Sequence, residues 1–272
     1  MRRSPAIALA FAVLCGLWFS TPSGGAQTPQ PAGSLAGTVT YVYDGDTVKV
    51  RLDSGEERRV RLIGVDAPEY NAPQESVRLS AFLARRFAYS RLYQKPVRLT
   101  LDQQKTDVYG RLLAYIWTDD RTLFNEVLAG EGYARAYLKY PFDEAFKKRF
   151  EAAEAEARRQ EKGLWRKDPY PVVTAAEAGR SMGRVVTVRF RCIRAFDRSR
   201  YRILVPAEGD FEAVVPLDVL ATFPGSLEFE NRVVEVTGLV EEFRGRPQIM
   251  IGLPAQVKVA DTRLTAAGSW II

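Results

Sequence analysis

"GTVTYVYDGDTVKVRLDSGEERRVRLIGVDAPE", Gly37 to Glu69, decides the fold. Apolar and polar residues alternate along most of it, the period of strands with one buried face. "DSGEE" at 53–57 supplies a hairpin turn, so the stretch reads as consecutive antiparallel strands. On the strand entered at "DGDTVKVRL", Asp46 shares a face with Val48, Val50 and Leu52. On "VRLIGVD", Asp66 shares a face with Val60, Leu62 and Gly64. If neither strand is bulged, both carboxylates continue core-facing rows and sit at the rim of a barrel, where the core opens.

Beyond Glu69 the period changes. "PQESVRLSAFLARRFAYSRLY", from Pro73, puts Leu79, Phe82, Leu83 and Phe87 on one helical face. Strand returns at "PVRLTLD" (96–102) and "GRLLAYIWT" (110–118), joined by the polar "QQKTDVY". "LFNEVLAGEG" reads as a short helix closed by glycines. "DEAFKKRFEAAEAEARRQEKGLW" reads as a long one, with Asp143 as N-cap, Gly163 just past its end, and Phe146, Phe150 and Ala153 on its buried side. Two prolines in "RKDPYPVVTAAEAG" mark a boundary, after which the chain is again mostly β. Each half offers about five strands, the number in an OB barrel.

Composition narrows the chemistry. The 272 residues suffice for two small domains, and 46% hydrophobic content can bury a core in each. There is no histidine. That removes Ser-His-Asp and Cys-His catalysis and every His-ligated zinc or iron site. A general base must then come from other side chains, with carboxylates first, and a metal would take oxygen ligands, as a hard cation does. Arg2 and Arg3 followed by the apolar run Ala6 to Phe19 and "TPSGGAQ" read as an export signal, the run being too short for an ordinary membrane span. With Cys15 inside that run, the mature chain keeps Cys192 alone, so no intramolecular disulfide is expected.

Two carboxylates held together repel unless protonated or bridged by a cation. Ca²⁺ suits the pair, with a backbone carbonyl and waters completing the set. Pro68 stiffens the exit and aims Glu69 at the same spot. Arg61 lies on the strand that carries Asp66, and Arg111 follows "TDVYG" at the start of the next hairpin arm. Two guanidiniums over a cation and a carboxylate base make a phosphodiester site: they clamp phosphate oxygens and stabilise developing charge while Glu69 takes a proton from water.

"DGDTV", "RLIGVDAPE" and "TDVYGRLLAYIW" together resemble the staphylococcal nuclease (thermonuclease) family, in the family's order, over about Gly37 to Trp165. The resemblance implies a five-stranded OB barrel with three helices. It implies Ca²⁺-dependent cleavage of DNA and RNA, leaving 3′-phosphates. Carried over by residue, it makes Asp46 and Asp66 metal ligands with the Ala67 carbonyl, Glu69 the general base, and Arg61 and Arg111 the phosphate clamps. Tyr109 matches a tyrosine of the nucleotide pocket, and either Tyr137 or Tyr140 a second one. Ala67 stands where the founding member has threonine, a change a backbone ligand tolerates. Val108 replaces a lysine near the nucleotide phosphate.

The expected fold is therefore mainly β with α (α+β): an OB barrel with three helices, then a second small OB-like barrel. The expected division is a signal peptide at 1–26, a linker at 27–36, a thermonuclease-like catalytic domain at 37–167, a linker at 168–182, an OB-like β domain at 183–262 and a tail at 263–272. In the second domain Arg184, Arg189, Arg191, Arg194, Arg198, Arg200 and Arg202 run with Phe190, Phe196 and Tyr201 interleaved, which suits single-stranded nucleic acid. The expected protein is an exported nuclease with a nucleic-acid substrate and Ca²⁺, without stable membrane association after signal removal and with no oligomer predicted. The competing reading is a non-catalytic scaffold that keeps the fold and binds nucleic acid or protein. Such a scaffold is free to lose Asp46, Asp66 and Glu69, and all three are present.

Overall fold

The computed structural model describes residues 34–224 and 228–260. The expected signal peptide, most of the first linker and the tail lie outside the described residues. No helix among the described residues is long and apolar enough to cross a membrane.

The strands of the first barrel are β1 (Leu35–Val42), β2 (Thr47–Leu52), β3 (Glu57–Leu62), β5 (Pro96–Thr106) and β6 (Leu112–Trp117), with the short β4 (Val65–Asp66) outside the closure. They close in the order β1-β2-β3-β6-β5, antiparallel except for the β3–β6 pair. Period-two burial drives this: Val48, Val50 and Leu52 of β2 and Val60 and Leu62 of β3 point inward, while Arg51 and Arg59 point to solvent. Leu99, Ala114 and Ile116 fill the interior from β5 and β6.

Three α-helices surround this barrel: α1 (Glu75–Leu92), α2 (Phe124–Gly130) and α3 (Glu144–Arg159). On α1, Phe82, Leu83 and Phe87 are buried as the sequence suggests, and Leu79 is half-buried. α3 starts where expected, with the Asp143 carboxylate accepting the Ala145 N–H at 2.7 Å. Gly163 closes the helix region at φ +49, and a Cβ there would lie 2.2 Å from the Gly132 carbonyl oxygen, so only glycine fits. The Lys/Arg face of α3 is largely self-paired: Lys147 with Glu144, Arg158 with Glu154 and Arg159 with Glu156.

The second half repeats the order of the first. Strands β9 (Val185–Arg198), β10 (Tyr201–Pro206), β11 (Glu212–Pro216), β12 (Val233–Phe243) and β13 (Arg246–Met250) close as β9-β10-β11-β13-β12 and back to β9. Here too one pair, β11–β13, is parallel. Two edge strands add to this barrel, β8 (Val172–Thr174) on β9 and β14 (Val257–Ala260) on β12. The stretch expected as a linker at 168–182 is structured: β8 pairs with β9, and a 3₁₀ turn at Ala175–Ser181 buries Ala175 and Ala178 in the second core. Its prolines come before this segment, and the small apolar residues after them give it something to bury. Cys192 is fully buried, and burial pushes its thiol pKa up.

The barrels share α1. The Arg86 guanidinium donates to Glu241 of β12 at 2.5 and 3.1 Å. Leu239 of β12 joins the first barrel's core. The Phe82 ring lies so close to Gly252 that an added Cβ would sit 1.9 Å from its Cε2. Gly252→Val is therefore expected to destabilise the chain by about 1–3 kcal/mol through overpacking. Thermal unfolding checks it: the expected fall in Tm is about 2–4 °C per kcal/mol, and an unchanged Tm would mean that this contact does not hold the barrels together.

Candidate active site

Asp46 ends the loop between β1 and β2 as the chain turns back into the barrel. The Asp44 carboxylate accepts the Asp46 N–H at 3.0 Å, so Asp44 acts as a turn residue. Gly45 between them has no room for a side chain: a Cβ would lie 2.8 Å from that of Ala67 and 2.9 Å from that of Ala84. The loop is thereby pressed between α1 and the segment after β4. Asp46 faces inward as the alternation requires and is 5% exposed. Its Oδ2 accepts the Ala67 N–H at 2.6 Å, and its Oδ1 accepts the Thr47 hydroxyl at 3.0 Å. Burial lifts its carboxyl to about 7, helped by the nearby Asp44 and opposed by Arg61.

Asp66 departs from expectation. It does not continue the core-facing row of Val60 and Leu62. β3 ends at Leu62, and Gly64 takes φ +75, with no space for a Cβ beside the Phe150 ring 2.5 Å away. The chain then leaves the barrel as β4, which pairs with β7 (Arg135–Ala136). This turn resets the parity, so the Asp66 side chain is about half exposed. Arg61 brings the two acids together instead. Its Nη1 lies 3.0 Å from Asp46 Oδ1, and its Nη2 donates to Asp66 Oδ1 at 2.9 Å. Nη1 also donates to the carbonyls of Leu62 and Val65 at 3.1 and 2.8 Å, which holds the guanidinium in one orientation.

Arg111 sits one residue before β6, whose Leu113 is in register with Arg61 on β3. Asp107 holds it, a residue the sequence reading passed over. The Asp107 carboxylate accepts Arg111 Nε at 2.6 Å and the backbone N–H groups of Arg111 and Tyr109 at 2.9 and 3.0 Å. Burial pushes the Asp107 carboxyl up, but these bonds outweigh it and hold the group below its usual value. Gly110, at φ +74, completes the turn. An Asp four residues before Arg111, with glycine between, was the available signal. The Arg111 guanidinium lies 5.5 Å from the Tyr109 ring centroid, and Tyr109 is 81% exposed.

Glu69 is exposed, and its carboxylate makes no hydrogen bond or ion pair among the described residues. Tyr137 is tied to the β3–β4 turn, its N–H donating to the Gly64 carbonyl at 2.8 Å. Its ring meets that of Tyr140 edge-on at 5.7 Å, so the two candidates for a second pocket tyrosine form one aromatic edge.

No group of three or more Asp, Glu, Cys or His side chains among the described residues is arranged to hold a metal. The candidate set is two carboxylates and a backbone carbonyl. It is all oxygen, which suits a hard cation. The buried Asp46 carboxylate has one guanidinium for countercharge and shares it with Asp66, so the residues present fit a divalent cation.

The family described as "Staphylococcal nuclease homologue" matches residues 59–167. A thermonuclease from Staphylococcus intermedius is 41% identical over 127 residues, covering 47% of this chain and 74% of that protein. A thermonuclease from Staphylococcus hyicus is 38% identical over 164 residues, covering 58% of this chain and 94% of that protein. An uncharacterized endonuclease of Escherichia coli is 33% identical over 144 residues, covering 53% of this chain and 86% of that protein. The matched region runs from β3 through the Arg111 turn and past the end of α3, and with the two thermonucleases matched over most of their length the chain belongs to the staphylococcal nuclease family, a family of phosphodiester hydrolases.

Proposed function

We propose that this chain is an exported, Ca²⁺-dependent nuclease that hydrolyses DNA or RNA strands to 3′-phosphate products. One observation carries the reading most: the Arg61 guanidinium joins Asp46 to Asp66 at 3.0 and 2.9 Å at the barrel rim. Such a rim places cationic donors and anionic ligands at one point, which suits a phosphodiester bound through a divalent ion.

Asp46, Asp66 and the Ala67 carbonyl would hold Ca²⁺, which supplies positive charge to the phosphate oxygens when bound. Arg61 and Arg111 grip the non-bridging oxygens and stabilise the charge that builds up on them. Glu69, with no competing partner among the described residues, takes a proton from water as the water oxygen bonds to phosphorus. The bond from phosphorus to the 5′-oxygen breaks, that oxygen leaves as a hydroxyl after protonation, and the phosphate stays on the 3′ side. Tyr109 and the Tyr137–Tyr140 edge offer faces and hydroxyls to the nucleotide. Export rests on the Arg2–Arg3 pair and the apolar run behind it.

The test is to incubate the mature chain, from Gln27, with single-stranded DNA and with RNA, in Ca²⁺ and in chelator. Cleavage is expected in Ca²⁺ and is expected to vanish with chelator, with a 3′-phosphate detected on the products. Ca²⁺ should also raise Tm, because it binds the folded chain. A folded chain that cuts neither polymer in Ca²⁺ would overturn the assignment.

A further inference from the structure

We propose that the cleft between the two barrels is the binding track for a single-stranded nucleic acid on its way to or from the cleavage site. The inference rests on the reading of Asp46, Asp66, Glu69 and Arg111 as that site. The cleft has a volume of about 1140 Å³. That is above the ~300–1,000 Å³ usual for small-molecule pockets, and it suits a polymer better.

One wall is α1 with the segment leading into it, bearing Tyr70, Arg85, Tyr89 and Tyr93. Tyr70 follows Glu69 directly. Ala84 backs Gly45 of the carboxylate loop, and Arg85 comes next, its Nε donating to the Val42 carbonyl at 3.1 Å. The wall is therefore continuous with the Asp46 loop at one end. The other wall is the second barrel, which presents Arg198 and Tyr201 from the β9–β10 hairpin and Arg244 from the β12–β13 turn.

Charge and ring chemistry favour a strand with accessible bases. The lining carries four arginines and two acids. Of the acids, Glu241 is engaged by Arg86, which leaves Glu242 as the remaining negative charge. Arg85 and Arg244 have no carboxylate partner among the described residues, and Arg198 reaches Glu212 only at 3.4 Å. Tyr89 and Tyr93 are half-buried on the α1 wall and stack on each other at 4.3 Å, with the Arg86 guanidinium 4.8 Å from the Tyr89 ring centroid. The Tyr70 hydroxyl is buried beside the Arg85 guanidinium, so the two residues sit together on this wall. Arginines beside aromatic faces bind single strands through phosphate contact and base stacking.

The arginine-rich strand itself plays a smaller part than its sequence suggests. Phe190 is buried against Phe211, Arg189 pairs with Glu235 and Arg202 with Asp197. Of that series, Arg198 and Tyr201 reach the cleft.

The test uses the full mature chain carrying Arg198→Glu and Arg244→Glu, both on hairpin tips outside the catalytic barrel. Binding of a fluorescent oligothymidylate longer than about 16 nucleotides is measured in a Glu69→Gln background, where the strand stays intact. The expected result is at least a tenfold rise in Kd, with a log Kd against log salt slope shallower by about 1.4 for two lost phosphate contacts. With Glu69 restored, KM for the long strand should rise while kcat/KM for a dinucleotide stays unchanged, and Arg198→Lys with Arg244→Lys should preserve both. An unchanged Kd and slope would overturn the proposal. An equal loss on the dinucleotide would also overturn it, because the defect would then lie in the catalytic barrel. The two readings fail separately: a chain that binds and responds to charge reversal but cuts nothing keeps the cleft and loses the cleavage site. A chain that cuts but ignores the reversal does the opposite.

Discussion

Glu69→Gln is expected to lower kcat on single-stranded DNA by about 10²–10⁴-fold, the usual contribution of a general base. The amide has the shape of the carboxylate but cannot take a proton from water. The side chain is exposed and makes no hydrogen bond or ion pair among the described residues, so its replacement should leave Tm unchanged. That separation makes the test clean: a large kinetic loss without a stability loss assigns the carboxylate to the chemistry. Single-turnover cleavage in saturating Ca²⁺ is the measurement. Near-normal turnover in a purified, folded variant would remove Glu69 from the mechanism.

Arg111→Ala is expected to lower kcat by about 10²–10³-fold, as when one donor to a developing oxyanion is lost. Arg61 could not give so clear an answer. It is partly buried between Asp46 and Asp66 and bonds two backbone carbonyls, so truncating it would leave Asp46 buried without its countercharge. Arg111 is held from one side by Asp107 through Nε, and no bond from its terminal nitrogens to another residue is found among the described residues. Lysine at this position should recover little, because an ammonium cannot meet the Asp107 carboxylate and a phosphate in the geometry of a planar guanidinium. Stopped-flow or quench kinetics on a labelled strand check it, with Tm as the control for the fold. A variant that loses affinity but keeps kcat would make Arg111 a binding residue alone.

These two residues differ in how far the sequence announced their setting. Glu69 was readable because Pro68 fixes the chain just before it and the local pattern "DAPE" carries the acid to the strand end. Arg111 stood out in the sequence as a candidate phosphate clamp, but its anchor did not. Asp107 looks like a turn residue, and its hold on Arg111 depends on a carboxylate folding back across Gly110. Asp46 followed the alternation of β2 and is buried as expected. Asp66 did not, because one left-handed residue, Gly64, breaks the strand, and periodicity cannot show such a break.

The sequence by itself determined what depends on near neighbours. Period-two alternation set the barrel strands, helical spacing and the Asp143 cap set α1 and α3, and turn chemistry set the β2–β3 hairpin at 53–57. These are properties of residues a few positions apart, so they survive being read from one chain. Tertiary structure alone decided how distant segments meet. It turned Asp66 outward and gave Arg61 the task of joining it to Asp46, because Phe150 of α3 fills the space beside Gly64. It also closed two barrels on one shared helix, because Phe82 packs on Gly252 and Arg86 pairs with Glu241. Those contacts join residues far apart along the chain, and their energy depends on shape and countercharge that no local pattern records.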